Sequence, residues 1–203
     1  MGPGRSALVV AALGFAVGLA GDACHVASGT TRYEWDGVPE IWRSRAWFPF
    51  LVAAGVLLAA WMGRRADLPG RSRDGRDVVI GAAAVLALYA LTAVLRGQPA
   101  TVSVILTGAI AAGVWAWWDP SPSAFVIATG AAIAGPLAEI VLVSIGAASY
   151  AADSDGLGGV APWLPCLYFA AGAVASGIWA AIEGTGRDPD PFAAPRGNGD
   201  RLR

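Results

Sequence analysis

Six long apolar runs, separated by short polar segments, set the pattern of this chain. They extend from Ala7 to about Val26, Ala46 to about Gly63, Val78 to Leu95, Ala100 to Trp118, Ser123 to about Ala148 and Trp163 to Ile182. None alternates with the two-residue period of a barrel strand, and each is long enough to cross a hydrocarbon core of ~30 Å as a helix. The pattern predicts an all-α, polytopic membrane protein with six transmembrane helices. They form one domain over residues 1–183, and a disordered tail rich in Pro, Gly, Asp and Arg occupies 184–203. Residues 27–45 are polar and aromatic and read as an interfacial loop or short surface helix. The fifth run is interrupted by Gly135-Pro136 and Glu139.

The sharpest boundary is Val114-Trp115-Ala116-Trp117-Trp118-Asp119-Pro120-Ser121-Pro122. Indoles favour the membrane–water boundary, charge favours the end of a span, and two prolines forbid a continuous helix. A tight reversal between antiparallel spans follows. Small residues recur at packing intervals, as in Gly14-x-x-x-Gly18, Gly108/Ala112, Ala109/Gly113 and Ala173/Gly177, and predict close helix–helix contact.

Composition supports the membrane class: 56% of the 203 residues are hydrophobic and 14% charged, against about a quarter charged in soluble domains. The net charge of −1 and the lack of a basic, aromatic-laced patch exclude a nucleic-acid partner. Every strongly basic residue is Arg, so the chain offers no lysine for a Schiff base or ubiquitin. Arg5, the five arginines between Arg64 and Arg76 and four in the tail collect on one side of the six spans. Arg32, Arg43, Arg45 and Arg96 collect on the other, which places both termini and Asp119 in the cytosol. The first run, behind Arg5, also resembles the apolar core of a signal peptide.

Candidate chemistry is sparse. Glu139 lies inside span five, where an ionisable group faces a cavity or a partner; it either binds a lipid polar group, relays a proton, or satisfies carbonyls freed by Pro136. Asp22 and His25 end the first run. His25 is the only histidine, and with Cys24 and Cys166 on distant spans no metal site is expected. Those cysteines read as two apolar thiols, or as a pair if their side of the membrane is oxidising. There is no nucleophile elbow, no paired carboxylate motif within the membrane and no phosphate loop, so neither catalysis nor a cofactor is expected.

Three segments resemble the Insig (insulin-induced gene) family of sterol-responsive membrane proteins. Trp163-Leu164-Pro165-Cys166-Leu167-Tyr168-Phe169 is similar to that family's W-L-P-C run. The stretch from Trp117 through Asp119 to Phe125 is similar to its W-W-x-x-D-R-S-R-S-G-F. Ser44-x-Ala46-Trp47-Phe48-Pro49 is similar to its S-x-A-W-W-x-P. The resemblance spans about residues 40–183 and implies a six-span, non-catalytic regulator that binds a lipid among its helices and associates with other membrane proteins. It implies a partner-binding role for Asp119 and a cavity-lining role for Trp115. Val102 falls where the family has a cavity glutamine, and Pro120 and Pro122 replace two loop arginines. These departures suggest a prokaryotic relative that binds a lipid other than a sterol.

The reading that follows is a membrane protein with an Insig-like bundle that binds an amphipathic lipid, sterol-like or a glycerolipid such as a diacylglycerol, in an intramembrane cavity. The lipid-contact candidates are Trp115, Val102, Glu139, His25, Tyr168 and Trp47. A homo-oligomer is allowed by the small-residue faces. The membrane is the plasma membrane in a prokaryote, or the endoplasmic reticulum in a eukaryote. The alternative is a small proton-coupled transporter centred on Glu139.

Overall fold

The computed structural model describes residues 2–35, 37–66 and 73–184. Six helices carry the expected spans: α1 (Pro3–Ser28), α2 (Trp47–Arg65), α3 (Gly75–Val94), α4 (Ala100–Trp118), α5 (Pro122–Ser144) and α6 (Leu164–Glu183). All six are long and apolar enough to cross a membrane. The disordered tail expected from the sequence lies, for residues 185–203, outside the described residues, as does 67–72 of the arginine-rich loop.

The helix ends have local causes. Asp74 caps α3 in a reciprocal box with Asp77, its Oδ1 accepting from the backbone N–H of Arg76 at 2.8 Å and of Asp77 at 3.0 Å. Ser121 caps α5 by accepting from the Ala124 N–H at 3.2 Å, with Pro122 in the first turn. The Arg73 guanidinium donates to the carbonyls of Trp117 and Trp118 and lies 4.9 Å and 5.0 Å from their rings. It thereby satisfies carbonyls that α4 leaves free at its end. The reversal after Trp118 is as tight as its sequence requires.

Three segments differ from the sequence expectation. First, α1 continues to Ser28, so Asp22 and His25 lie within it and do not end it. Second, of the interfacial loop or short surface helix expected over 27–45, the described residues beyond α1 hold no helix. They form three short strands, β1 (Thr31–Tyr33), β2 (Glu40–Ile41) and β3 (Ser44–Arg45). The link between β2 and β3 places Trp42 and Arg43 at φ 49° and 73°, the left-handed region that a two-residue hairpin requires and that glycine normally fills. Third, α5 is unbroken through Pro136, where packing against α6 holds the helix past the lost N–H, and it stops at Ser144. The chain after it turns back into β4 (Ala148–Tyr150), which pairs antiparallel with β1.

At the centre stands α6, which touches all five other helices and is the most deeply buried span. Apolar burial drives little between helices in lipid, so small residues that admit close contact supply the packing. The indole of Trp118 lies over Gly81 of α3 and Gly177 of α6, where α3, α4 and α6 meet. A methyl at Gly81 would stand 2.8 Å from the Trp118 ring and 2.9 Å from Val174. A methyl at Gly113 would meet nothing within 4 Å. Gly81→Ala is therefore expected to cost about 1–3 kcal/mol of stability in detergent, the range for overpacking, whereas Gly113→Ala is neutral or slightly stabilising. Paired thermal unfolding curves check this.

Candidate functional site

One end of the bundle holds a polar pocket. It lies where α1, α3 and α5 end and α2 and α6 begin, and the β1–β4 ribbon covers it. The covering face follows from the two-residue period of a strand. Thr31 and Tyr33 of β1 face inward and pair in register with Tyr150 and Ala148 of β4, and all four line the pocket. Arg32, between them, is exposed and pairs with Ser149. On the outer side the Ser149 hydroxyl donates to Glu34 at 2.7 Å.

Two carboxylates line the pocket. Glu139 is 8% exposed. Its Oε1 accepts from the Tyr168 hydroxyl at 2.6 Å and its Oε2 accepts from the Tyr150 hydroxyl. Asp22, one turn before His25 on α1, accepts from the Tyr33 hydroxyl at 2.7 Å. The His25 Nε2 bonds the Thr92 hydroxyl at 2.9 Å, and its ring lies 5.1 Å from both Tyr89 and Trp163. Two glycines make room for the tyrosines. A Cβ at Gly21 would fall into the Tyr89 ring, and one at Gly135 into the Tyr168 ring.

Burial, and after it the negative charge of Asp22, lifts the Tyr33 phenol far above its ordinary range. Burial, and after it the charge of Glu139, lifts Tyr150 in the same way. Both therefore stay protonated donors. Two polar atoms of the lining have no partner among the described residues: the Thr31 hydroxyl, on a residue 5% exposed, and the indole N–H of Trp47. The enclosed space open to the centre of a water-sized sphere is about 20 Å³, room for one water or one small polar group and too little for an acyl chain.

Of the residues expected to touch a lipid, the pocket brings together His25, Glu139 and Trp47, with Tyr168 as a direct partner of Glu139. The other two lie elsewhere. Trp115 is near the opposite end of α4, 5.4 Å from the Phe125 ring. Val102 is 40% exposed on the outside of α4. Asp119 is 6% exposed and its Oδ1 accepts from the Ser121 N–H at 2.9 Å, closing its own turn. Cys24 and Cys166 are unlinked thiols. Among the described residues no group of three or more His, Cys, Asp or Glu converges to hold a metal ion.

Asp22, Thr31, Tyr33, Tyr89 and Tyr150 belong to the site as well, beyond the candidates expected from the sequence. Asp22 and His25 sit three positions apart, one helical turn, and that spacing is a signal. The strand residues gave none, because their inward face depends on a pairing across most of the chain.

Each phenol on Glu139 removes a buried unmet acceptor, so Tyr150→Phe and Tyr168→Phe are each expected to destabilise by about 1–3 kcal/mol. With Glu139→Gln the losses should fall short of additive in a double-mutant cycle. Tyr33 and Tyr150 also carry a pH signature. Their folded values are raised, so the stability they contribute is full below the ordinary phenol value of 10.0 and drains away as the pH climbs further. Thermal stability should fall above pH ~10, and less steeply in Tyr33→Phe.

No protein-family model matches the chain. Over 172 residues, 84% of this chain and 83% of the relative, it is 41% identical to an INSIG protein homolog of Mycolicibacterium vanbaalenii. Its fold is similar to the crystal structure of MvINS, a mycobacterial Insig homolog from Mycobacterium vanbaalenii. The TM-score is 0.85 at 37% identity, and 91% of this chain and 96% of that one are covered. It is likewise similar to a cross-linked trimer of an arginine-to-cysteine variant of MvINS, with TM-score 0.84, 36% identity and the same coverage, 91% and 96%.

Proposed function

The chain belongs to the Insig family, and from that premise we propose that it is a non-catalytic membrane regulator that binds an amphipathic lipid, sterol-like or a glycerolipid. The observation that carries the reading is the pair of partnerless polar atoms, Thr31 Oγ1 and Trp47 Nε1, in a buried pocket inside an apolar bundle. Buried polar groups are almost always hydrogen-bonded, and a ligand that brings a hydroxyl or carbonyl completes the set. The small volume supports a reading in which the lipid's polar end enters the pocket and its chains stay on the membrane side. Lipid and protein interior are equally oily, so selectivity comes from the polar end and from shape.

By likeness to the cross-linked MvINS trimer, the protein works as a homo-oligomer of three copies. The arginine distribution places both termini in the cytosol. Asp119 then lies on the cytosolic side, and its role towards a protein partner is to hold the shape of the Trp118–Ser121 turn. The proton-coupled transporter reading draws no support from the family, and no observation favours it.

Native mass spectrometry of protein extracted in mild detergent tests the proposal. One lipid mass per chain is expected, and Thr31→Val with Trp47→Phe should shed it at lower activation energy. Protein that carries no lipid, and that neither a sterol nor a diacylglycerol protects thermally, rules the reading out.

A further inference from the structure

The pocket has an uneven chemistry. Its carboxylates, Asp22 and Glu139, are bonded by neutral phenols, and among the described residues no arginine lines it. The chain has no lysine to supply a cation instead. The register of the cover keeps it so. A slip of one residue in the β1–β4 pairing would turn Arg32 inward, and the observed register holds Arg32 outside. A buried carboxylate without a counter-charge must either hold a proton or find a cation.

The remaining walls suit a cation. Tyr33, Trp47, Phe48, Tyr89 and Tyr150 surround the same space, with Tyr33 and Trp47 edge-to-face at 5.5 Å and Trp47 and Phe48 at 5.9 Å. Aromatic faces attract ammonium groups through their quadrupoles. The Thr31 hydroxyl, buried and partnerless in this lining, supplies a third oxygen acceptor. Three acceptors match the three N–H donors of a primary ammonium, which is close to water in size and fits about 20 Å³. A phosphate or carboxylate there would face two like charges and no donor beyond the phenols, Thr31 and the Trp47 N–H.

We infer that the polar end which the pocket selects is a primary ammonium, held by Glu139, Asp22 and Thr31 within an aromatic wall, with anionic lipid ends rejected. This rests on the proposed lipid-binding reading and replaces the hydroxyl or carbonyl end considered there with an amine, at the Asp22, Glu139 and Thr31 part of the pocket. The ammonium is carried by a lipid or by a free amine, and the test separates the two.

The test uses full-length protein in a non-ionic detergent, titrated with dodecylamine, dodecanol, dodecanoic acid and methylammonium chloride, and read by thermal shift and native mass spectrometry. Dodecylamine is expected to bind at least about tenfold tighter than dodecanol, and dodecanoic acid not at all. Glu139→Gln should abolish the amine's advantage over dodecanol. A wild-type measurement guards against a variant that does not fold. Saturation by methylammonium as readily as by dodecylamine supports the ammonium site and assigns it to a free amine. Equal binding of amine and alcohol overturns the inference and leaves lipid binding standing. Failure of all four ligands overturns the inference, and lipid binding is then decided by the sterol and diacylglycerol test above.

Discussion

A carboxylate within a membrane span has no water to fall back on, and everything polar around it must be supplied by the protein. In this bundle the constraint falls on Glu139. Its two oxygens are met by phenols from different places, Tyr168 one helix away and Tyr150 on the cover. That requirement ties α5 to α6 and both to the β1–β4 ribbon. Asp22 repeats the arrangement with Tyr33, joining α1 to the same ribbon. The pocket is the place where these obligations meet.

The close packing elsewhere serves this arrangement. Gly21 and Gly135 are absences of side chain that let Tyr89 and Tyr168 lie flat on neighbouring helices. At the opposite end Arg64 lies 3.5 Å from Glu183 and 5.1 Å from the Trp179 ring, while Arg73 closes the end of α4. Of the arginines that mark that side by their number, Arg73 thus also closes a helix end there.

The spans were legible because twenty apolar residues in a row admit few other structures. The reversal at Asp119 was legible because tryptophan, carboxylate and proline each have one favoured place near a membrane surface. Glu139 could be singled out by its depth in an apolar run, and the W-L-P-C stretch carried the family. The pocket as a whole could not be read, since Thr31 and Tyr150 acquire an inward direction only from their mutual register. Asp22 was misplaced for a different reason: polarity was taken to end the helix, whereas α1 carries its polar turn inside and stops at Gly29, with φ 71°. Trp115 and Val102 came from the family's pattern and not from position, and they lie apart from the pocket.

The cover joins Thr31 to Tyr150, which frame four of the six helices between them. A ribosome delivers the first strand while five of the six helices are still unmade. The second strand cannot find it until α2 to α5 have all been threaded in their proper directions. The site is thus completed late in biogenesis, and a molecule whose helices have entered upside down or out of turn never closes it. A closed ribbon thus marks a chain in which α2 to α5 have been threaded in order.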